Sequence, residues 1–124
     1  FLLVHGSPRK NNENILPETS LKELEEMLSD VDADVVLCGH THIPCGFQTD
    51  SKKTVVNVRS IGRPFTQDPK SCYLVINVAN KECAFEHRFI DYNNELASKK
   101  LLNRTFIGKE KLAKTLIAPE ERHF

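Results

Sequence analysis

The sequence predicts a mixed α/β (α+β) fold, and three observations carry the prediction. Three short apolar runs end in turns of small or turn-forming residues: Leu2-Leu3-Val4, Val35-Val36-Leu37-Cys38 and Val55-Val56-Asn57-Val58. An amphipathic helical stretch separates the first two, which is the crossover that parallel strands require. Further on, two strand-like runs joined by a short polar turn read as an antiparallel hairpin, and two helical segments follow.

The elements follow in order. Residues 1–5 read as a strand, and 11–14 as a polar loop. Ser20 is a good N-cap, and Glu23 three residues on completes a capping box. Leu21, Leu24, Met27 and Leu28 then share one helical face, so Met27 is read as core. Val35 to Cys38 is the next strand. Gly46 to Gln48 and Thr54 to Val58 are strands joined by a turn over 49–53. Cys72 to Val78 and Ala84 to Ile90 pair across the turn Ala79-Asn80-Lys81-Glu82. Asn93 to Leu102 and Lys109 to Leu116 are helices, broken apart at Gly108. These helices are expected to cover the second sheet or an edge; the alternative is a partner-binding extension, since the last segment, Ala118 to Phe124, is polar and is expected to be loosely held.

Chemistry gathers where the strands end. The second run leaves through Gly39-His40-Thr41-His42, with Pro44 stopping its continuation as a central strand. Two histidines separated by one residue point to the same side if the backbone stays extended. Neutral imidazole is the commonest metal-ligand side chain. The glycine before them permits a sharp turn or a close approach. Taken alone, the motif is balanced between a metal site and a polar loop with local hydrogen bonds. The first run has the same design, ending in His5-Gly6-Ser7-Pro8. In an α/β sheet, functional groups collect at the carboxyl ends of parallel strands, so His5 and the His40/His42 pair are expected at one sheet end. The third run leaves through Arg59-Ser60-Ile61-Gly62-Arg63-Pro64.

Taken in this order, the three segments make the sequence resemble the calcineurin-like metallophosphoesterases, and their small phosphoesterase branch most closely. The likeness runs from Phe1 to about Tyr92. It implies part of a two-sheet αββα sandwich: residues 1–92 as the C-terminal half of the domain, and 93–124 as a helical extension of that same domain. It also implies two divalent metal ions (Mn, Fe, Ni or Zn) and a phosphate-ester substrate. By position, His5 and His40 match ligands of the second metal, and His42 matches a ligand of the first. His40 is also the residue expected against the phosphate in catalysis. Asn57, Arg59 and Ser60 fall in the turn under the substrate. Arg59 stands where the family usually has glycine. An arginine there can grip phosphate in a bidentate manner. The favoured expectation is that it points to solvent or obstructs the turn, since Arg is mostly a surface residue. His87 and His123 match nothing and are read as surface residues.

The resemblance also implies Asp-x-His, Gly-Asp-x-x-Asp and Gly-Asn-His motifs ahead of the His-Gly segment. The chain opens on Phe1, inside an expected strand, and is read as the C-terminal half of a longer protein whose missing N-terminal half is a partner. No remaining carboxylate replaces the absent ligands. Asp30, Asp32 and Asp34 form a polar turn, Asp50 lies in a hairpin turn, and Asp68 sits beside Pro69. The expected function is hydrolysis of a phosphomonoester or phosphodiester by the complete domain, with this chain inactive alone. The alternative is a non-catalytic scaffold or interaction module on the same fold. A third option is a mononuclear zinc site, in which His5, His40 and His42 share one ion.

Composition narrows the field. The 124 residues carry formal net charge +0 and 40% hydrophobic residues, enough for one domain or part of one. Zero net charge argues against nucleic acid and anionic membrane. The basic runs around Lys99-Lys100 and Lys109-Glu110-Lys111 contain acidic residues and read as solvated helix faces. No apolar stretch approaches the ~20 residues of a membrane span. The four cysteines form no Cys-x-x-Cys pair, which argues against a zinc knuckle and points to a reducing, cytoplasmic setting. Cys38 and Cys72 are expected to pack as small hydrophobes. Cys45, close after the histidine pair, is expected to be an inert loop thiol rather than a soft metal ligand.

Overall fold

The short first helix is set by its cap. In the computed structural model, which describes residues 1–122 and Phe124, α1 spans Leu21–Met27. The Ser20 Oγ accepts from the Glu23 N–H at 3.3 Å, and the Glu23 carboxylate accepts from the Ser20 N–H at 3.0 Å, which closes the predicted capping box. The helix turns Leu24 and Met27 inward, and Leu28 follows them. These three pack with Ile15, Val36, Cys38 and Val55 as the core of a first compact unit, Phe1–Arg59.

Its sheet has strand order β1-β2-β4-β3, with β1 at Leu2–Leu3, β2 at Val35–Cys38, β3 at Cys45–Gln48 and β4 at Thr54–Asn57. β1, β2 and β4 run parallel, as their spacing predicts, and β3 returns antiparallel on the edge. β1 is shorter than the predicted 1–5 strand. Its pairing continues beyond the two residues, however, because Val4 N–H donates to Leu37 O and Gly39 N–H donates to His5 O, each at 2.9 Å.

The second unit is Ser60–Phe124. Here β5 (Ser71–Ala79) and β6 (Glu82–Ile90) form a two-stranded antiparallel sheet, with Cys72 opposite Phe89 and Ala79 opposite Glu82. Asn80 and Lys81 alone make the turn, both left-handed (φ 50 and 65), as a two-residue hairpin turn of this hand requires. α2 (Asn94–Leu102) starts at Asn93, whose carbonyl Oδ1 accepts from Leu96 N–H at 2.8 Å. α3 (Lys109–Ile117) follows the left-handed Gly108. Ser98 Oγ donates to Ala113 O at 3.0 Å, and Asn94 Nδ2 reaches Leu116 O at 2.7 Å and Pro69 O at 3.1 Å.

Compact packing divides the chain at Arg59/Ser60, and the Asn94 bond to Pro69 O ties the start of α2 to the loop before β5. The tail is also more firmly held than its polar sequence predicts. The Arg122 guanidinium lies 5.1 Å from both the Phe65 and Phe124 ring centres, and Arg122 N–H donates to Phe65 O. His87 is half-buried in β6, more enclosed than the surface position predicted for it, and His123 lies outside the described residues. Among the described residues, no helix is long and apolar enough to cross a membrane.

Candidate functional site

His5 and His40 meet at the carboxyl ends of two neighbouring parallel strands. The Gly39 N–H to His5 O bond continues the β1–β2 pairing and sets the two loops side by side. His40 Nδ1 then stands 3.1 Å from His5 Nε2, with ring centres 5.0 Å apart and planes at 70°.

The loop after His5 is tightly folded. Ser7 N–H donates to Lys10 O at 2.9 Å, and Ser7 Oγ accepts from the N–H groups of Arg9 and Lys10 and donates to Glu13. Arg9 pairs with Glu13 at 2.6 Å. The Arg9 hydrogen bond, helped by Ser7, holds the Glu13 carboxyl below the ordinary carboxylate range.

The His40-Thr41-His42 segment departs from the extended backbone assumed from sequence. His40 and His42 are both left-handed, at φ 64 and 59, so spacing alone does not aim their rings. Side chains other than glycine seldom adopt this region, although histidine does so more than most. Thr41 between them is fully buried, and its N–H donates to Gly39 O at 2.7 Å. His42 is half-buried. Among the described residues, no three His, Cys, Asp or Glu side chains gather around one point. The mononuclear three-imidazole site is therefore not formed by this arrangement.

The three residues expected beneath a substrate differ from one another. Asn57 has no solvent exposure, and its carboxamide reaches Gly39 O, Thr41 Oγ1 and Ile15 O at 2.8, 2.9 and 3.3 Å. Its Oδ1 accepts from Arg59 N–H at 3.1 Å. Arg59 is 4% exposed, which corrects the solvent-facing expectation. It is also left-handed, at φ 68, the conformation that favours the glycine expected at this position. Ser60 begins the second unit, where its Oγ accepts from Arg63 N–H at 3.0 Å and its carbonyl from Cys72 N–H at 3.2 Å.

Cys38 and Cys72 are buried, as expected of small hydrophobes. Burial pushes the Cys38 thiol up to about 12 and the Cys45 thiol up to about 11. Cys45 Sγ lies 3.8 Å from Ile15 O, its donor role turned toward backbone. A thiol so hard to ionise is a poor ligand and a poor nucleophile, since both roles need the thiolate.

The His5–His40 nitrogens are at hydrogen-bond distance, with the roles set by the tautomers, and the same spacing is compatible with two ligands of one divalent ion. Two nitrogens bound at ~2.0–2.1 Å with a roughly tetrahedral angle stand about 3.3 Å apart, close to the spacing seen. Two imidazoles are an incomplete set for a hard cation, which also takes carboxylate oxygens.

Residues 1–81 match the family model of the calcineurin-like phosphoesterase superfamily domain. Among solved structures, the fold is similar to a metallophosphoesterase from Sphaerobacter thermophilus, with TM-score 0.71 and 18% identity over 94% of this chain and 54% of that one. It is also similar to a hypothetical protein from Pyrococcus horikoshii, with TM-score 0.75 and 20% identity over 97% of this chain and 46% of that one. The chain thus spans about half the length of each. No curated protein gives a significant sequence match. A family match over most of the length, on a fold shared with a metallophosphoesterase, places the chain in the calcineurin-like phosphoesterase superfamily.

Proposed function

We propose that this chain supplies the imidazole side of a metal-dependent phosphoesterase centre. The observation that carries the reading is the 3.1 Å approach of His5 Nε2 to His40 Nδ1 at adjoining strand ends, in a chain of this superfamily. In this reading His5 and His40 hold one divalent ion, and His42 serves a second. The carboxylate ligands come from protein outside these 124 residues. Divalent ions at such a centre supply charge for the phosphoryl oxygens and acidify water. The chain's own contribution is aim. Paired strands fix His5, and the left-handed loop turns His40 toward it, leaving His40 at the mouth to contact the phosphate or the leaving group. The substrate is a phosphomonoester or phosphodiester. A cytoplasmic setting agrees with the lack of any disulfide among the four cysteines.

The second reading is a non-catalytic scaffold on the same fold. It is supported by the lack of a third metal-binding side chain beside the histidine pair among the described residues. One experiment separates the two. The 124-residue chain and its parent with the preceding segment are assayed on an aryl phosphodiester with added manganese. The enzyme reading expects turnover by the parent, loss of that turnover in His42→Ala, and little or none by the chain alone. An inactive parent supports the scaffold.

A further inference from the structure

Asn57 was expected near the substrate, yet it is fully enclosed, and its contacts run to the loops that carry the histidines. Its amide group lies against Gly39 O and Thr41 Oγ1, which bracket His40, and against Ile15 O from the loop between β1 and α1. Its Oδ1 takes the Arg59 N–H and so holds the bend after β4. One side chain thus joins the exits of two parallel strands and the loop that follows a third. The donor arrangement is consistent with only one orientation of the carboxamide, because its NH2 faces three acceptors and its oxygen faces a donor.

The backbone at His40 and His42 needs such a support. Left-handed conformations at bulky residues persist only where surrounding contacts over-determine them. Locally, Thr41 N–H to Gly39 O is a single tight turn bond. The enclosed Thr41 side chain sits between the two strained residues, and its hydroxyl meets Asn57. We propose that Asn57 is a positioning residue: through Thr41 and Gly39 it holds the His40–His42 loop in its left-handed form and so sets the distance between His40 and His5. Its value for metal binding rests on the functional reading above, whereas its effect on the ring pair does not.

The test uses the 124-residue protein and two readouts. The first is the proton NOE between the His5 and His40 rings, which needs no metal. The second is zinc affinity, measured calorimetrically well below the melting transition. Asn57→Leu keeps the volume and removes the carboxamide. Thr41→Val keeps the shape and removes the hydroxyl, and Thr41→Ser restores it. Asn57→Leu and Thr41→Val are expected to lose or strongly weaken the NOE and to bind zinc about 10- to 100-fold more weakly, as outer-shell changes do. Thr41→Ser should behave like the wild type in both. A purely structural role would lower the melting temperature and leave the NOE of the folded protein intact, which would overturn the proposal. If Asn57→Leu does not fold, Thr41→Val decides by the same criterion. A wild type that binds no zinc would mean that the pair needs the absent carboxylate ligands to hold an ion, and the NOE alone would then decide the role of Asn57.

Discussion

Gly6 is where a single methyl group should do the most damage near the site. A Cβ built on it would stand 2.5 Å from Asn11 O and 2.7 Å from both Asn11 C and Lys10 O. All three are backbone atoms, so no side chain can swing aside. Reaching the ordinary 3.4 Å contact means opening the loop by about 0.9 Å at the tightest point. Lys10 O accepts from Ser7 N–H at 2.9 Å and from Glu13 N–H at 3.3 Å, so that movement strains both bonds. Overpacking of this kind costs ~1–3 kcal/mol; the middle of that range, ~2 kcal/mol, less ~0.4–1 kcal/mol for the stiffer unfolded chain, leaves about 1–1.6 kcal/mol. For a chain of this size the melting temperature should fall by roughly 4–8 °C. Gly39→Ala is the control. Its Cβ would meet only His5 O, at 3.7 Å, and its φ is not left-handed, so it should melt within ~2 °C of the wild type. Both variants are followed by circular dichroism melts beside the wild type. A Gly6→Ala protein that melts at or above the wild-type temperature would refute the steric argument.

Three further outcomes are expected. Alkylation of Cys45 by iodoacetamide at neutral pH should be far slower than that of a free cysteine in a peptide, since burial holds its thiol at about 11, and peptide mapping checks it. Glu13 ionises more readily folded than unfolded, so its contribution is present above the ordinary value of 4.5 and is lost as pH falls through and below that value; amide exchange over residues 7–13 should rise there before the core opens. Ser20→Ala removes the hydroxyl that accepts from Glu23 N–H while keeping the backbone N–H that donates to the Glu23 carboxylate, and should cost ~1 kcal/mol in a urea titration; a midpoint unchanged from wild type would count against the cap.

Local rules made much of this molecule readable from sequence. The Ser20/Glu23 cap, the turn that sets the β5–β6 pairing and the break at Gly108 each depend on residues within a few positions of one another, so composition and spacing suffice. The approach of His5 to His40 also followed from a rule, that groups collect where parallel strands end. What sequence could not convey was backbone hand. His40, His42 and Arg59 are left-handed although none is glycine, while Gly39 is not. Their conformation belongs to a hydrogen-bond network centred on Asn57, whose partners lie 16, 18 and 42 positions away. The burial of Arg59 was missed for a related reason, because residue type predicts exposure only on average. The one hint is the glycine that the family resemblance implies at position 59, which agrees with the left-handed backbone there.

The left-handed histidines also set a limit on improvement. Each holds a conformation that costs an L residue ~1–2 kcal/mol and costs glycine almost nothing. A screen for heat-resistant variants would therefore favour glycine at 40 and 42 among its first gains. Both gains would erase the imidazoles that give the loop its chemistry. Thermal robustness and the metal-ligand role proposed for His40 and His42 draw on the same two positions in opposite directions. A stabilised lineage that keeps its histidines must find its increments elsewhere in the fold.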